Sequence, residues 1–146
     1  MRRQAGLTLL ELMVVVVIIA IAASIAAPSF SRMIQHERHA RVVNQLQALY
    51  KYARSEATKR EQVIRLATNN GQLQVLLDAQ VLRQLALPPE SSSISVDGLA
   101  ALDILPFGAV SSALAISVTD GRNLVPKRHL CVWLSGQLVV QEAACA

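Results

Sequence analysis

Gly6-Leu7-Thr8-Leu9-Leu10-Glu11-Leu12-Met13-Val14-Val15 is the stretch that decides the fold, since it opens an apolar run that lasts to Ala27. The run from Leu7 to Ala27 holds 21 residues. A helix of that length measures roughly 31 Å, near the hydrocarbon thickness of a bilayer. Arg2 and Arg3 precede the run, and basic residues favour the cytoplasmic side. The sequence therefore predicts a single-pass helix, with the chain after Ala27 in the periplasm.

A cleavable secretory signal is the first alternative, because it also combines basic residues, an apolar run and small residues before a cut. Ala20-Ile21-Ala22 has the small residues but lies inside the run. Ile25-Ala26-Ala27 lies at its end, but Ile25 is bulky and Pro28 follows directly. Glu11 is the stronger objection, since a carboxylate inside an apolar segment is costly and marks a function.

The residues from Gly6 to Glu11, with a basic leader before them and the apolar run behind, resemble the class III signal of type IV prepilins. In that family a prepilin peptidase cuts after the glycine and methylates the new amine, here that of Leu7. The usual residue after the cut is Phe, so Leu7 is a departure. The resemblance implies a leader over residues 1–6 and a transmembrane and filament-core helix over residues 7–28. It also implies a protein that leaves the bacterial inner membrane for a pilus or pseudopilus built with other pilins or pseudopilins.

Glu11 is the residue to which the resemblance assigns assembly and axial register. The spacing places it one helical turn from the amine of Leu7. In the resembled family this carboxylate meets the amine of a neighbouring subunit. An ion pair at about 4 Å is worth about 4 kcal/mol at an intermediate dielectric. The alternative is a carboxylate tolerated near the bilayer edge.

The helix is expected to continue over residues 29–60, since Phe30 to Lys59 contains neither Gly nor Pro. Pro28 is predicted to kink it, because proline removes a backbone donor and clashes with the preceding turn. A helix boundary at the membrane surface is expected at the same place. An apolar stripe follows at spacings of three and four: Val42, Leu46, Leu49, Ala53 and Ala57, widened by Val43 and Tyr50.

The polar faces of that helix predict no metal site. His36 and His39 are too few to form a ligand set and are interpreted as solvated surface. The arginines are expected to meet lipid headgroups or acidic residues of neighbouring subunits: Arg32, Arg38 and Arg41.

Residues 61–146 predict a small antiparallel β domain, which makes the fold class α+β. Asn69-Asn70-Gly71 is a hairpin signal between two alternating segments. A loop is expected at Pro88-Pro89-Glu90 and a short helical turn at residues 82–85. The predicted strands are residues 63–68, 72–77, 94–96, 113–119, 130–134 and 138–141.

The resemblance extends into this domain and narrows to the GspH/FimT group. Residues 53–57, Ala-Arg-Ser-Glu-Ala, look like the helix end of that group, Phe107-Gly108 like its middle region, and residues 131–136 like its final hairpin. The group contains pseudopilin H of type II secretion and the minor pilins FimT and FimU. Pro28, within Ala-Pro-Ser-Phe, favours the minor-pilin branch, which implies roles in pilus assembly, twitching motility and adhesion.

The resemblance also raises DNA as a partner, because some FimT proteins take up DNA through a Gly-Arg-x-Arg motif at the final hairpin. The aligned residues here are Gly136-Gln137-Leu138-Val139, without either arginine. Arg122, Lys127 and Arg128 form a nearby basic segment suited to phosphate contacts. The net charge gives little support to DNA binding. Without Arg2 and Arg3 the number of Lys and Arg residues falls from 14 to 12, and against 10 acidic residues the formal charge falls from +4 to +2.

The sequence contains two cysteines, Cys131 and Cys145, both near the C-terminus. In an oxidising compartment the simplest interpretation is one disulfide, with two partly buried thiols as the alternative. The motifs of hydrolases, nucleotide-binding proteins and metalloproteases do not occur, so we expect neither catalysis nor a cofactor.

Overall fold

The computed structural model describes residues 8–145, with backbone alone at residues 26–28. The predicted leader and the bond between Gly6 and Leu7 lie outside the described residues. The chain divides into two compact units, residues 1–35 and residues 36–146.

The first unit contains the start of helix α1, which runs over Leu9–Arg60. Thr8 caps it: the backbone N–H of Glu11 donates to Thr8 Oγ1 at 3.3 Å, and that of Leu12 to the Thr8 carbonyl at 3.2 Å. A threonine that accepts from the third helical residue is a favoured N-cap. α1 is one helix across Pro28, so the helix boundary expected there is wrong, while the kink stays a prediction.

In the second unit α1 turns its apolar stripe toward the β domain, as predicted. Leu46, Leu49, Ala53 and Ala57 are buried, and Val42 packs at the edge of the core. The helix ends at Arg60 because the next residue, Glu61, adopts a left-handed conformation (φ 55°), which is typical of helix C-termini.

Eight strands form two antiparallel four-stranded sheets. In the first sheet the order is β3 (Gln80–Ala86), β2 (Gln72–Leu77), β1 (Ile64–Asn69) and β5 (Leu102–Ile104). In the second it is β4 (Ile94–Asp97), β6 (Leu114–Asp120), β7 (Arg128–Val132) and β8 (Leu138–Gln141). The α+β class is confirmed, and the predicted set of antiparallel strands is divided between two sheets.

The hairpin predicted at Asn69-Asn70-Gly71 joins β1 to β2. Asn69 pairs with Gln72, so two residues make the turn. Asn70 and Gly71 have φ angles of 47° and 72°. Two successive positive φ angles are the requirement of a type I′ turn, whose twist matches that of paired strands.

Two local predictions are wrong, and one strand was not predicted. Residues 82–85 form part of β3 rather than a helical turn, because Gln80–Ala86 pairs along β2. The strand predicted at residues 130–134 is β7, Arg128–Val132, since Trp133 begins a turn closed by its hydrogen bonds with Gln137 and Gly136. Strand β5 was not predicted, because it has only three residues and therefore shows no period.

The core lies between the second half of α1 and the two sheets. It is built from Leu, Ile, Val and Ala with Tyr50, in line with an aromatic content of 3%. Its largest fully buried apolar side chains come from both sheets: Ile64, Leu102, Ile104, Leu130, Val75 and Val118.

Candidate functional site

The first candidate site is the apolar surface at the start of α1. Every large apolar side chain from Leu9 to Ile25 is between 45% and 78% exposed, and the segment is long and apolar enough to cross a membrane. Ser24 Oγ donates to the Ile21 carbonyl at 2.7 Å, so its hydroxyl is satisfied within the helix. Exposed apolar patches of this size mark membranes or partners; this surface requires one or the other.

Glu11 is the only charged residue between Leu9 and Ser31. Its side chain is exposed, and within residues 8–145 it makes no ion pair. The N-cap bond at Thr8 places Glu11 in the first helical turn, where a carboxylate interacts favourably with the helix dipole. A lone carboxylate on an apolar helix needs an external cation once water is excluded. Its register role, like cleavage and methylation at Gly6 and Leu7, stays a prediction.

A second site, not predicted from the sequence, joins α1 to two tight turns. Tyr50 Oη donates to the Gly136 carbonyl at 2.8 Å, and Arg54 Nε donates to the Gly108 carbonyl at 2.9 Å. The turns themselves touch, since Val110 N donates to the Leu134 carbonyl at 3.1 Å. Burial raises the pKa of Tyr50, and the Arg54 charge opposes that shift only in part. We call these four residues, Tyr50, Arg54, Gly108 and Gly136, the helix–turn cluster.

The helix–turn cluster brings together three motifs that are separate in the sequence: residues 53–57, Phe107-Gly108 and residues 131–136. Gly136 has a φ of 77°, and a Cβ there would overlap the Gly108 carbonyl oxygen. Glycine is therefore required at this turn. A sequence pattern alone does not show this contact, because Arg54 and Gly108 are 54 residues apart.

The predicted disulfide between Cys131 and Cys145 is present, with 5.6 Å between the Cα atoms. Cys131 lies on β7 and is buried. The bridge ties the chain after β8 back onto the second sheet.

The three cations of the predicted basic segment lie in two elements, the β6–β7 connection and strand β7. Arg122 and Lys127 are exposed in the β6–β7 connection. Buried Asp120 shapes this loop, because its carboxylate accepts from the backbone N–H groups of Arg122 at 3.1 Å and Leu124 at 2.9 Å. Arg128 lies on β7 and its Nη2 is 3.1 Å from Glu142 Oε1. Contact of Arg122, Lys127 and Arg128 with DNA stays a prediction.

Metal binding finds no support in the part of the chain that the structure describes. Within residues 8–145 no group of three or more His, Cys, Asp or Glu side chains is placed to hold an ion. His36 is exposed, as expected, but His39 is buried and only 2% exposed. The interpretation of His39 as solvated surface is therefore wrong.

Comparison with known proteins agrees with these features. Residues 1–27 match the prokaryotic N-terminal methylation motif, and residues 42–137 match the type II transport protein GspH family. A comparison with curated proteins gave no match.

Two crystal forms of the type IV minor pilin FimU of Pseudomonas aeruginosa share the fold. One aligns with a TM-score of 0.62 at 16% identity, over 73% of this chain and 90% of FimU. The other aligns with a TM-score of 0.57 at 17% identity, over 68% and 90%. The family match spans most of the chain, and the methylation motif precedes it: the chain belongs to the GspH family of type IV pilin-like proteins.

Proposed function

We propose that this chain is a minor pilin, a structural or initiation subunit of a type IV pilus. The observation that carries the proposal is the exposed apolar start of α1 with Glu11 as its only charge before Arg32. Such a helix suits the inner membrane before assembly and the helical core of a filament afterwards. Prepilin peptidase is expected to expose the amine of Leu7 and methylate it.

The choice of a pilus over a secretion pseudopilus rests on two features. The fold aligns with FimU over nine-tenths of that protein's length, and Pro28 follows the minor-pilin pattern. The matched family model carries the name of a type II transport protein, so pseudopilin H is the second candidate. In that role the chain would extend a short filament that drives folded proteins outward.

Deletion of the gene tests the choice. We expect a loss of surface pili and twitching motility with exoprotein secretion intact. Loss of secretion with normal pili would establish the pseudopilin alternative. Loss of transformation with normal pili would point to DNA uptake, and replacement of Arg122 and Lys127 by glutamate would then have to abolish salt-dependent DNA binding.

Glu11→Ala and Leu12→Ala, compared in the complemented deletion strain, test the helix. We expect Glu11→Ala to reduce incorporation into sheared filaments at least tenfold, the loss expected if about 1.4 kcal/mol of the ion-pair energy is realised. Leu12→Ala removes only apolar surface and is expected to incorporate normally. Mass spectrometry should find N-methylated Leu7 at the N-terminus; a membrane form that begins at Met1 would contradict the proposal.

A further inference from the structure

A cleft of about 220 Å³, lined by both polar and apolar residues, opens in the second unit between α1 and the second sheet. One wall is helical, the other comes from the sheet and the β6–β7 loop. The polar residues that line it are His36, His39, Asn44, Gln47 and Arg128, and the apolar ones include Val43, Val125 and Val140. None of the side chains that line the cleft is acidic.

His39 fixes the helical wall. Its Nε2 lies 3.1 Å from the Val118 carbonyl oxygen on β6. A carbonyl only accepts, so Nε2 carries the proton of this bond. This bond ties α1 directly to the second sheet, and the cleft is thereby shaped before any ligand arrives.

Arg128 carries the charge of the cleft. Its guanidinium makes one contact with Glu142, Nη2 to Oε1 at 3.1 Å. The two side chains are 37% and 59% exposed, and pairs this exposed are weak and exchangeable. A guanidinium has five N–H donors, so this single contact leaves room for a second carboxylate. The contact with Glu142 shows that the Arg128 guanidinium pairs with a carboxylate.

We propose that the cleft binds an acidic side chain from a neighbouring filament subunit. Arg128 supplies the charge, while His36, Asn44 and Gln47 offer hydrogen bonds. The cleft is smaller than the 300 Å³ or more of typical small-molecule pockets, which suits one Asp or Glu side chain. The valines provide contacts for the methylene groups of that side chain. The proposal rests on the proposed function, because only an assembled filament brings a second subunit to this surface.

Acetate is the probe for the purified full chain in detergent micelles, with chloride at equal ionic strength as the reference. Side-chain NMR of Arg128 and His36 is expected to show saturable shifts with acetate. Arg128→Gln should abolish them. Glu142→Gln removes the competing carboxylate and should tighten acetate binding about two- to fivefold, the range of an exposed ion pair. Arg122→Gln, an exposed arginine outside the cleft, is the matched control and should leave binding unchanged.

Three outcomes would overturn the proposal: equal shifts with chloride, loss of binding in Arg122→Gln, or no tightening in Glu142→Gln. Binding of a short oligonucleotide at Arg128 in preference to acetate at equal ionic strength would also overturn it, in favour of nucleic acid. If the wild-type chain is absent from filaments, the proposed function fails instead.

The filament itself provides the second test. Arg128→Gln is expected to lower incorporation severalfold, Arg128→Lys to restore it in part, and Arg122→Gln to have no effect. A photo-crosslinker at Gln47 should form a bond to an Asp- or Glu-containing peptide of an adjacent subunit in sheared filaments. Crosslinks confined to peptides without an acidic residue would contradict the assignment.

Discussion

Replacement of Gly136 by alanine tests whether the two turns of the helix–turn cluster pack as closely as the structure shows. Gly136 has a φ of 77°, and a Cβ there would overlap the Gly108 carbonyl oxygen and lie 2.9 Å from its carbon. The obstacle is backbone, so no side-chain rotation relieves it. The two turns must separate, which breaks the bonds from Tyr50 Oη to the Gly136 carbonyl and from Val110 N to the Leu134 carbonyl.

The expected loss of unfolding free energy is the sum of these terms. Alanine in a left-handed conformation costs about 1–2 kcal/mol. Two lost hydrogen bonds, one of which leaves a buried carbonyl oxygen unpaired, cost roughly 2–3 kcal/mol more. The total of about 3–5 kcal/mol is a large share of the 5–15 kcal/mol by which domains are usually stable.

Gly71→Ala is the matched control. Gly71 has a similar φ of 72° at the β1–β2 turn, but a Cβ there would meet nothing within 4 Å. It should therefore show the backbone cost alone, about 1–2 kcal/mol. Urea unfolding of the full chain in detergent, followed by circular dichroism and by Trp133 fluorescence, measures both variants. Equal losses in the two variants would refute the close approach of the turns.

Three further predictions concern the second unit. Tyr50→Phe should lower the unfolding free energy by about 1 kcal/mol at neutral pH. Because burial raises the pKa of Tyr50, the wild-type protein should also lose stability above pH 10, and the variant should not show this loss in urea titrations. A hydrogen bond from Arg65 lowers the pKa of Asp103 below 3.8. The wild-type protein should therefore lose stability as the pH falls through that lowered value, while Asp103→Asn should not. An equal loss of stability in both proteins on acidification would contradict this. Cys145→Ala opens a loop of sequence separation 14 and should lower the unfolding free energy by about 3 kcal/mol. An unchanged urea midpoint, or free thiols at Cys131 and Cys145 in the protein isolated from cells, would reject the bridge.

The features that the sequence predicted well are those with a local physical cause. The length of α1 follows from an unbroken apolar run and an amphipathic stripe, and the turn at Asn70-Gly71 from residues that tolerate positive φ. The predictions failed where distant residues decide. Residues 82–85 have a helical appearance, but their pairing with β2 makes them a strand. His39 looks like helix surface until β6 supplies a carbonyl for it.

The helix–turn cluster also explains why family membership alone does not determine the role of this chain. Arg54, Gly108 and Gly136 hold α1 against two turns, so their resemblance to the GspH/FimT group follows from packing that a pilin and a pseudopilin need equally. The carbonyl of Gly136 accepts from Tyr50, which gives the start of the final hairpin a structural use independent of any nucleic acid. Residues that distinguish a pilus from a secretion filament must therefore lie on exposed surfaces where subunits meet. The start of α1 and the cleft at Arg128 are the surfaces on which that difference should be sought.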